Sequence, residues 1–405
     1  MAKELAFVLI NPYSLAKSRT GGIIARYIAR TQLDFVGARM FHPSRQLVHD
    51  YAALVRDGDG EQKKARDMLS DYILRSYGPD VKTDRPRRVM LLLFEGEDAI
   101  QRVADVTGGV VPNTGTGQTI RDTFGDYVLN ENDEIQYFEP AVLVAETKQQ
   151  ASDALQLWAG FSKTEGGFVS TATDVPRGEN VHRTLVLLKP DNFQFRSLRP
   201  GNIIDVLSRS GLRIVATRKF KMTVKQAEEF YGPVREVLTA LFSKIGSGRL
   251  VKALENEFDF TTPDAVLEKI CPELAPLFAA GQFENIVEFM TGYKPSDCTE
   301  DDKASRGKEE CLALVYEGED AVKTIREILG ATDPSKADPG SIRKEFGSDI
   351  MVNAAHASDS PENAVREMGI VGVDQDGISE WIEMYYGKML SRMKAKLSHR
   401  SGTTE

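Results

Sequence analysis

His356 is the residue on which a chemical reading of this chain turns. It lies in the run Asn353-Ala354-Ala355-His356-Ala357-Ser358-Asp359-Ser360, after an alternating apolar stretch and just before a helix start. The 405-residue sequence has only five histidines, so a reactive imidazole has few other places to be. Two arginines stand upstream, Arg326 in Val322-Lys323-Thr324-Ile325-Arg326 and Arg343 in Pro339-Gly340-Ser341-Ile342-Arg343. Imidazole is mostly neutral, and therefore nucleophilic, near neutral pH. Guanidinium forks match the oxygens of a phosphate. Together these groups are the parts needed to pass a phosphoryl group through a histidine. Taken singly, each has a plainer reading: His356 a structural strand-end residue, Arg326 a solvated helix charge, Ser358 and Ser360 helix caps.

The elements that must position these residues occur twice. Glu95-Gly96-Glu97-Asp98-Ala99-Ile100 returns as Glu317-Gly318-Glu319-Asp320-Ala321-Val322, and Thr119-Ile120-Arg121 as Ser341-Ile342-Arg343, both offset by 222 residues. Leu9-Ile10-Asn11-Pro12 returns as Leu187-Leu188-Lys189-Pro190 at an offset of 178, which leaves about 44 extra residues inside the second copy. Such repetition means two copies of one structural unit. In the second copy, 184–188, 212–220, 311–316 and 350–356 read as strands. Residues 200–210, 224–231, 320–329 and the segment from Ser360-Pro361 to Gly369 read as helices. This alternation fits a small α+β sandwich, one sheet with helices on one face. The expected boundaries are 1–158 for the first copy, 159–182 for a Gly- and Pro-containing linker and 183–371 for the second copy. An insertion at 233–309 and a C-terminal helix and tail at 372–405 complete the division. Within the insertion, Val237, Leu238, Leu241 and Phe242 form an apolar helical stripe, and 294–309 has the charged profile of a mobile loop. Residues 378–397 read as an amphipathic helix, with Trp381, Met384, Tyr385 and Met389 on its apolar side.

Composition narrows the classes of function. A net charge of −9 disfavours nonspecific nucleic-acid binding, which wants a basic face. Three cysteines without metal spacing read as reduced thiols of a cytoplasmic protein. No secretory h-region and no apolar span of about 18 residues is present, so no membrane association is expected.

The second copy resembles nucleoside diphosphate kinase. The resemblance rests on Lys189-Pro190-Asp191, Tyr231, Val322 to Arg326, Leu329-Gly330-Ala331-Thr332-Asp333-Pro334, Pro339 to Arg343, Asn353 to Ser360, and Glu367, in the family's order. It implies tandem ferredoxin-like (βαββαβ) sandwiches, of which the second is an active phosphotransferase. His356 would carry the phosphoryl group, and Glu367, supported by Ser358, would orient it. Arg326, Thr332 and Arg343 would hold phosphates. Lys189 and Asn353 would bond the ribose hydroxyls, and Lys189 and Tyr231 would reach the transferring group. Nucleoside di- and triphosphates such as ATP and GDP would be the partners, with low base selectivity. Mg2+ would arrive on their phosphates rather than in a protein metal site. The family's base-stacking aromatic falls on Gln282, with Phe283 beside it. Because family members pair two such folds, the tandem copies imply an intrachain pseudo-dimer, with a larger homo-oligomer open. A nucleotide-binding regulatory or scaffold protein without turnover is the alternative.

The first copy lacks the chemistry. Asn11 stands for Lys189, Ala52 for Tyr231 and Ala104 for Arg326; Leu143 falls nearest to His356, and only Arg121 remains, matching Arg343. Gly115-Thr116-Gly117 looks like a phosphate loop but lacks the lysine and spacing of one. A structural role is expected for this copy.

Overall fold

The computed structural model describes residues 2–57, 63–110, 117–132, 135–258 and 260–387. Gly115 and Thr116, and the tail from residue 388 onward with Met389, lie outside the described residues. The chain forms two compact units, one of residues 1–220 and 312–405 and one of residues 221–311.

The first copy contributes β1 (Lys3–Ile10), α1 (Pro12–Ala16), α2 (Thr20–Thr31), β2 (Asp34–Phe41), α3 (Arg45–Arg56), α4 (Lys63–Ser76) and β3 (Val89–Glu97). It continues through α5 (Ala99–Thr107), α6 (Ile120–Phe124), β4 (Asp126–Leu129), β5 (Ile135–Glu139), β6 (Val142–Val144) and α7 (Lys148–Glu165). The second contributes β7 (Val181–Leu188), α8 (Arg199–Ser208), β8 (Arg213–Thr223), α9 (Val224–Tyr231), α10 (Val234–Phe258) and α11 (Asp264–Thr291). Then follow α12 (Glu300–Ala304), β9 (Arg306–Glu319), α13 (Ala321–Leu329), α14 (Ile342–Phe346), β10 (Ala355–Ala357) and α15 (Pro361–Val371).

Eight strands form one sheet in the order β10-β7-β9-β8-β2-β3-β1-β6, with β4 and β5 as a separate pair. Within each copy the four strands, numbered by chain order, lie 4-1-3-2, which is the ferredoxin-like arrangement expected. Its central strands are continuous apolar runs: Leu5 to Ile10, Val89 to Phe94 and Leu185 to Leu188 are all buried. Each such side chain contributes about 1.5–3 kcal/mol by leaving water.

The copies join along β2 and β8, which pair antiparallel at Arg39 and Arg218, corresponding positions of the repeat. Beside this seam α2 crosses α8 at backbone contact. A Cβ on Gly21 would stand 2.4 Å from the Asp205 nitrogen, and one on Gly201 2.4 Å from the Ala25 nitrogen. Only glycine permits that approach. The chain then ties the copies twice more. After α7, Val169 N donates to Val215 O at 2.8 Å, so the segment after the first copy lies on the second. After α15, Asp374 O and Gln375 O accept from the buried Arg39 at 3.2 and 2.8 Å. Residues 379–387 are helical and bring Tyr385 Oη to Glu95 (2.6 Å) and Tyr386 Oη to Leu5 O (3.2 Å). The described part of the C-terminal helix therefore packs on the first copy.

Three local expectations are corrected. Residues 350–354 are not strand, because the Asp349 carboxylate accepts from Met351 N and Val352 N and folds the segment into a turn. Only Ala355–Ala357 pairs. Helix α15 passes Gly369 and closes at Gly372, whose φ of 59° is the left-handed conformation of a C-cap. In the unit of residues 221–311, the residues of the apolar stripe lie on a helix as read, with Val237 65% exposed and Leu241 37%. There α10 packs on α11, with the Phe242 and Phe278 rings 5.0 Å apart. Residues 294–309 are not an irregular loop either. They hold a 3-10 turn, helix α12 with a Thr299/Asp302 capping box and the start of β9. None of the described helices is long and apolar enough to cross a membrane.

Candidate active site

The site is built at the end of the sheet where β10 meets β7. His356 pairs with Leu187 in that register, between Ala355↔Leu188 and Ala357↔Val186. The chain enters β10 through Ala354, held at φ 69°, a conformation unusual for a residue with a Cβ. Three hydrogen bonds pin that corner: Lys189 N and Asn192 Nδ2 donate to Ala354 O at 3.0 and 2.7 Å, and Asn192 Nδ2 also reaches Lys189 O at 3.0 Å. The Lys189-Pro190-Asp191-Asn192 turn thus locks the strand that carries the histidine.

Around His356 the geometry is that of an oriented imidazole. Its Nε2 lies 2.9 Å from Glu367 Oε2, and Ser358 Oγ donates to the same oxygen at 2.6 Å. Glu367 is 4% exposed and comes from α15, whose start is set by Ser360 accepting from Asn363 N. An ionised carboxylate accepts only, so it selects the tautomer protonated at Nε2 and leaves the lone pair on Nδ1. The His356 side chain is 24% exposed, enough for a ligand to reach.

A second network holds cations beside this centre. Lys189, 8% exposed, donates to Asn353 Oδ1 at 2.7 Å and Met351 O at 3.1 Å. Asn353 Nδ2 donates to Thr332 O (3.0 Å) and Ile350 O (2.8 Å). Arg343 donates to Gly330 O (2.9 Å) and to Ala355 O (3.1 Å), the residue preceding the histidine. Arg326 is exposed on α13, lining an open depression with Lys323, Gly330 and Asp359. The structure thus gathers His356, Ser358 and Glu367 into one cluster and Lys189, Thr332, Arg343 and Asn353 into an adjoining one, with Arg326 exposed in its depression. Tyr231 belongs to the other compact unit, at the end of α9, buried with its ring 4.9 Å from that of Phe230. Phe283 is also in that unit, buried under the Arg235 guanidinium at 3.8 Å, a packing position. Gln282 beside it is half-buried.

Sequence reasoning gave no role to Asp191, Asn192 and Arg199. Asp191 is buried and accepts from Arg199 at 2.9 Å. Burial raises its pKa, against the pull of Arg199 and Lys189. The signal for Asp191 and Asn192 was their place in the turn after β7, and Arg199 opens α8.

The first copy keeps the scaffold of this site without its chemistry. Leu143 pairs with Leu9 as His356 does with Leu187. Ala141 repeats the left-handed corner at φ 63°, and Asn11 N donates to its carbonyl at 3.1 Å. Arg121 donates to Gly108 O at 2.7 Å as Arg343 does to Gly330 O. By the same register Ala145 stands for Ser358 and Ala154 for Glu367. Tyr77 Oη donates to Asn11 Oδ1 at 2.6 Å, so the position of Lys189 is held by a neutral pair.

Known proteins give this site a family. The family model described as nucleoside diphosphate kinase matches residues 182–255 and 302–375, the second copy on either side of its insertion. The nucleoside diphosphate kinase of Persephonella marina is 31% identical over 189 residues, covering 47% of this chain and 91% of that protein. The enzyme of the same name from the Wolbachia of Culex pipiens is 33% identical over 188 residues, with 46% and 91% covered. That from Archaeoglobus fulgidus is 30% identical over 201 residues, with 50% and 92% covered. The chain belongs to the nucleoside diphosphate kinase family.

Proposed function

We propose that the second copy is a working nucleoside diphosphate kinase that transfers the γ-phosphoryl group through His356 by a ping-pong cycle. The observation that carries this reading is the His356–Glu367–Ser358 cluster, which presents Nδ1 as the nucleophile. In the first half-reaction the Nδ1 lone pair attacks the γ-phosphorus. An N–P bond forms as the bond to the β,γ-bridging oxygen breaks, and the diphosphate departs with that electron pair. Glu367 holds the Nε2 proton and balances the positive charge of the phosphorylated ring. In the second half a terminal oxygen of another nucleoside diphosphate attacks the same phosphorus, and the N–P pair returns to Nδ1.

Phosphoryl transfer asks the protein for positioning and charge neutralisation above all. Arg343 and Arg326 supply paired donors for phosphate oxygens, and the Thr332 hydroxyl would add a further one. Lys189 and Asn353, already bonded to each other, address the ribose hydroxyls, and the Lys189 ammonium reaches the transferring group. These contacts concern sugar and phosphates, so base selectivity is low. The cations fit a polyphosphate and not a bare metal ion; among the described residues no group of three His, Cys, Asp or Glu side chains is arranged to hold one. Magnesium would travel on the nucleotide and neutralise phosphate charge there. Three cysteines without metal spacing favour a reducing, cytoplasmic setting. The first copy acts as a built-in partner, giving the second its seam at β2 and β8.

Initial rates with ATP and GDP varied together test the reading. Parallel double-reciprocal lines with GTP as product are expected. Nucleotide binding without GTP formation would instead make the chain a nucleotide sensor.

A further inference from the structure

We propose that three arginines from three parts of the chain form a second anion site, one that takes a polyphosphate chain such as inorganic tripolyphosphate. Arg85 precedes β3 in the first copy, Arg177 lies between the copies, and Arg213 opens β8 in the second. They line one open depression of about 500 Å³, which shares no residue with the centre around His356. Residues 173–176 and Gly211 complete the lining.

None of the three guanidinium groups is matched by a carboxylate among the described residues. The Arg85 side chain donates to backbone carbonyls, those of Thr171 (3.1 Å), Ala172, Thr173 (3.5 Å) and Val175 (3.0 Å). Arg213 does the same, to Asp174 O at 3.1 Å and Gly211 O at 2.7 Å. Arg177 is exposed and makes no hydrogen bond or ion pair among the described residues. Asp174 is the one acid in the lining, and its carboxylate already holds the buried Arg88, whose Nε donates to it at 3.0 Å. Carbonyl dipoles fix the forks without cancelling their charge. Three positive charges are thus left beside one depression, in a chain whose net charge is −9. Like charges so gathered repel, and an anion with several oxygens relieves them.

The repeat does not impose this patch. Strands β2 and β8 pair at Arg39 and Arg218, so Arg213, the first residue of β8, corresponds to Asp34, the first of β2. Asp34 is an acid paired with Arg196 at 2.7 Å. The excess of arginine is therefore particular to this depression.

The lining also selects the ligand. Guanidinium forks grip phosphate oxygens in pairs, and three separate forks suit a chain of oxyanions better than a single one. A volume of about 500 Å³ accommodates such a chain. No aromatic ring lines the depression, so a nucleobase finds nothing to stack on and the polyphosphate alone carries the binding.

Calorimetric titration with tripolyphosphate, ATP and sulfate, without magnesium, tests this on the full chain carrying Arg326→Gln. That background disarms the exposed phosphate arm of the centre around His356, so the readout does not depend on the transfer activity proposed above. Tripolyphosphate should bind at one site about tenfold or more tightly than sulfate, and ATP no more tightly than tripolyphosphate. Added salt should weaken it. Adding Arg177→Glu, at a side chain with no contact to lose, should weaken tripolyphosphate about tenfold or more. An unchanged circular dichroism spectrum, with unchanged ATP-to-GDP transfer for Arg177→Glu alone, reports that the variant is folded. The proposal is overturned if Arg177→Glu leaves the affinity for tripolyphosphate intact, if sulfate binds as tightly, or if no saturable binding occurs at millimolar tripolyphosphate. Tighter binding of ATP than of tripolyphosphate at the Arg177-dependent site would make the occupant a nucleotide and overturn it as well.

Discussion

The two copies in this chain differ less in fold than in what the fold carries. Both place a left-handed alanine before the last strand (Ala141, Ala354), and both have Asp98 or Asp320 at φ near 50° before a helix. Both also keep an arginine bonded to a glycine carbonyl at the helix end (Arg121, Arg343). The first copy lacks the histidine, its serine and glutamate, the lysine and the helix-borne arginine. The strained backbone therefore belongs to the architecture, since it persists in the copy that has Leu143 where the other has His356. The side chains that disappear are those of the His356–Ser358–Glu367 cluster, together with the buried Lys189 and the exposed Arg326. Arg343, kept as Arg121 in the first copy, also braces the strand carrying His356 through its bond to Ala355 O.

The largest effect expected is at the nucleophile. His356→Ala should lower ATP-to-GDP transfer by about 10⁴-fold or more while the circular dichroism spectrum stays unchanged. Near-full activity in that variant would place the chemistry elsewhere. Removing residues 1–158 strips the β2–β8 seam, the α2–α8 crossing and the surface under the C-terminal helix. The remaining chain should melt about 10 °C lower or more, read by calorimetry, and an unchanged melting temperature would mean the copies are merely tethered. Glu367→Gln should cost transfer about 10- to 100-fold, the worth of about 1.5–3 kcal/mol for a hydrogen bond to a charged group.

A fourth prediction separates the copies by pH. Burial pushes the Glu139 carboxyl of the first copy up to about 7, with the Tyr72 hydroxyl bonded to it. The folded state then binds a proton where the unfolded chain has lost it. The contribution to stability is full below the ordinary carboxylate range and is lost as pH rises through about 7. Urea melts between pH 5 and pH 8 should show that decline, and Glu139→Gln should flatten it. The smallest effect is none: Ala104→Arg should leave transfer unchanged, because that copy lacks its nucleophile as well.

Much of the second copy was legible in the sequence. Residues such as Lys189, Arg343, Asn353 and Glu367 are far apart in the chain, but their types and order follow one pattern. The fold follows from strand and helix alternation repeated twice. What escaped the sequence has physical causes. Ile350, Met351 and Val352 look like a strand, but the Asp349 carboxylate satisfies their backbone and leaves Ile350 59% exposed. The charged run at 294–309 looks like a loop, although Thr299 and Asp302 cap a helix within it. The β4–β5 hairpin and the docking of Tyr385 and Tyr386 on the first copy depend on distant pairings that periodicity does not report.

The central claim is that His356 carries the phosphoryl group and Leu143 marks a copy that cannot. Incubating the full chain with ATP and magnesium, then locating acid-labile phosphate by mass spectrometry, tests it directly. One phosphate on His356 that discharges to added GDP is the result predicted. Bound nucleotide with no phosphate on His356, or a phosphate there that GDP does not remove, would contradict it.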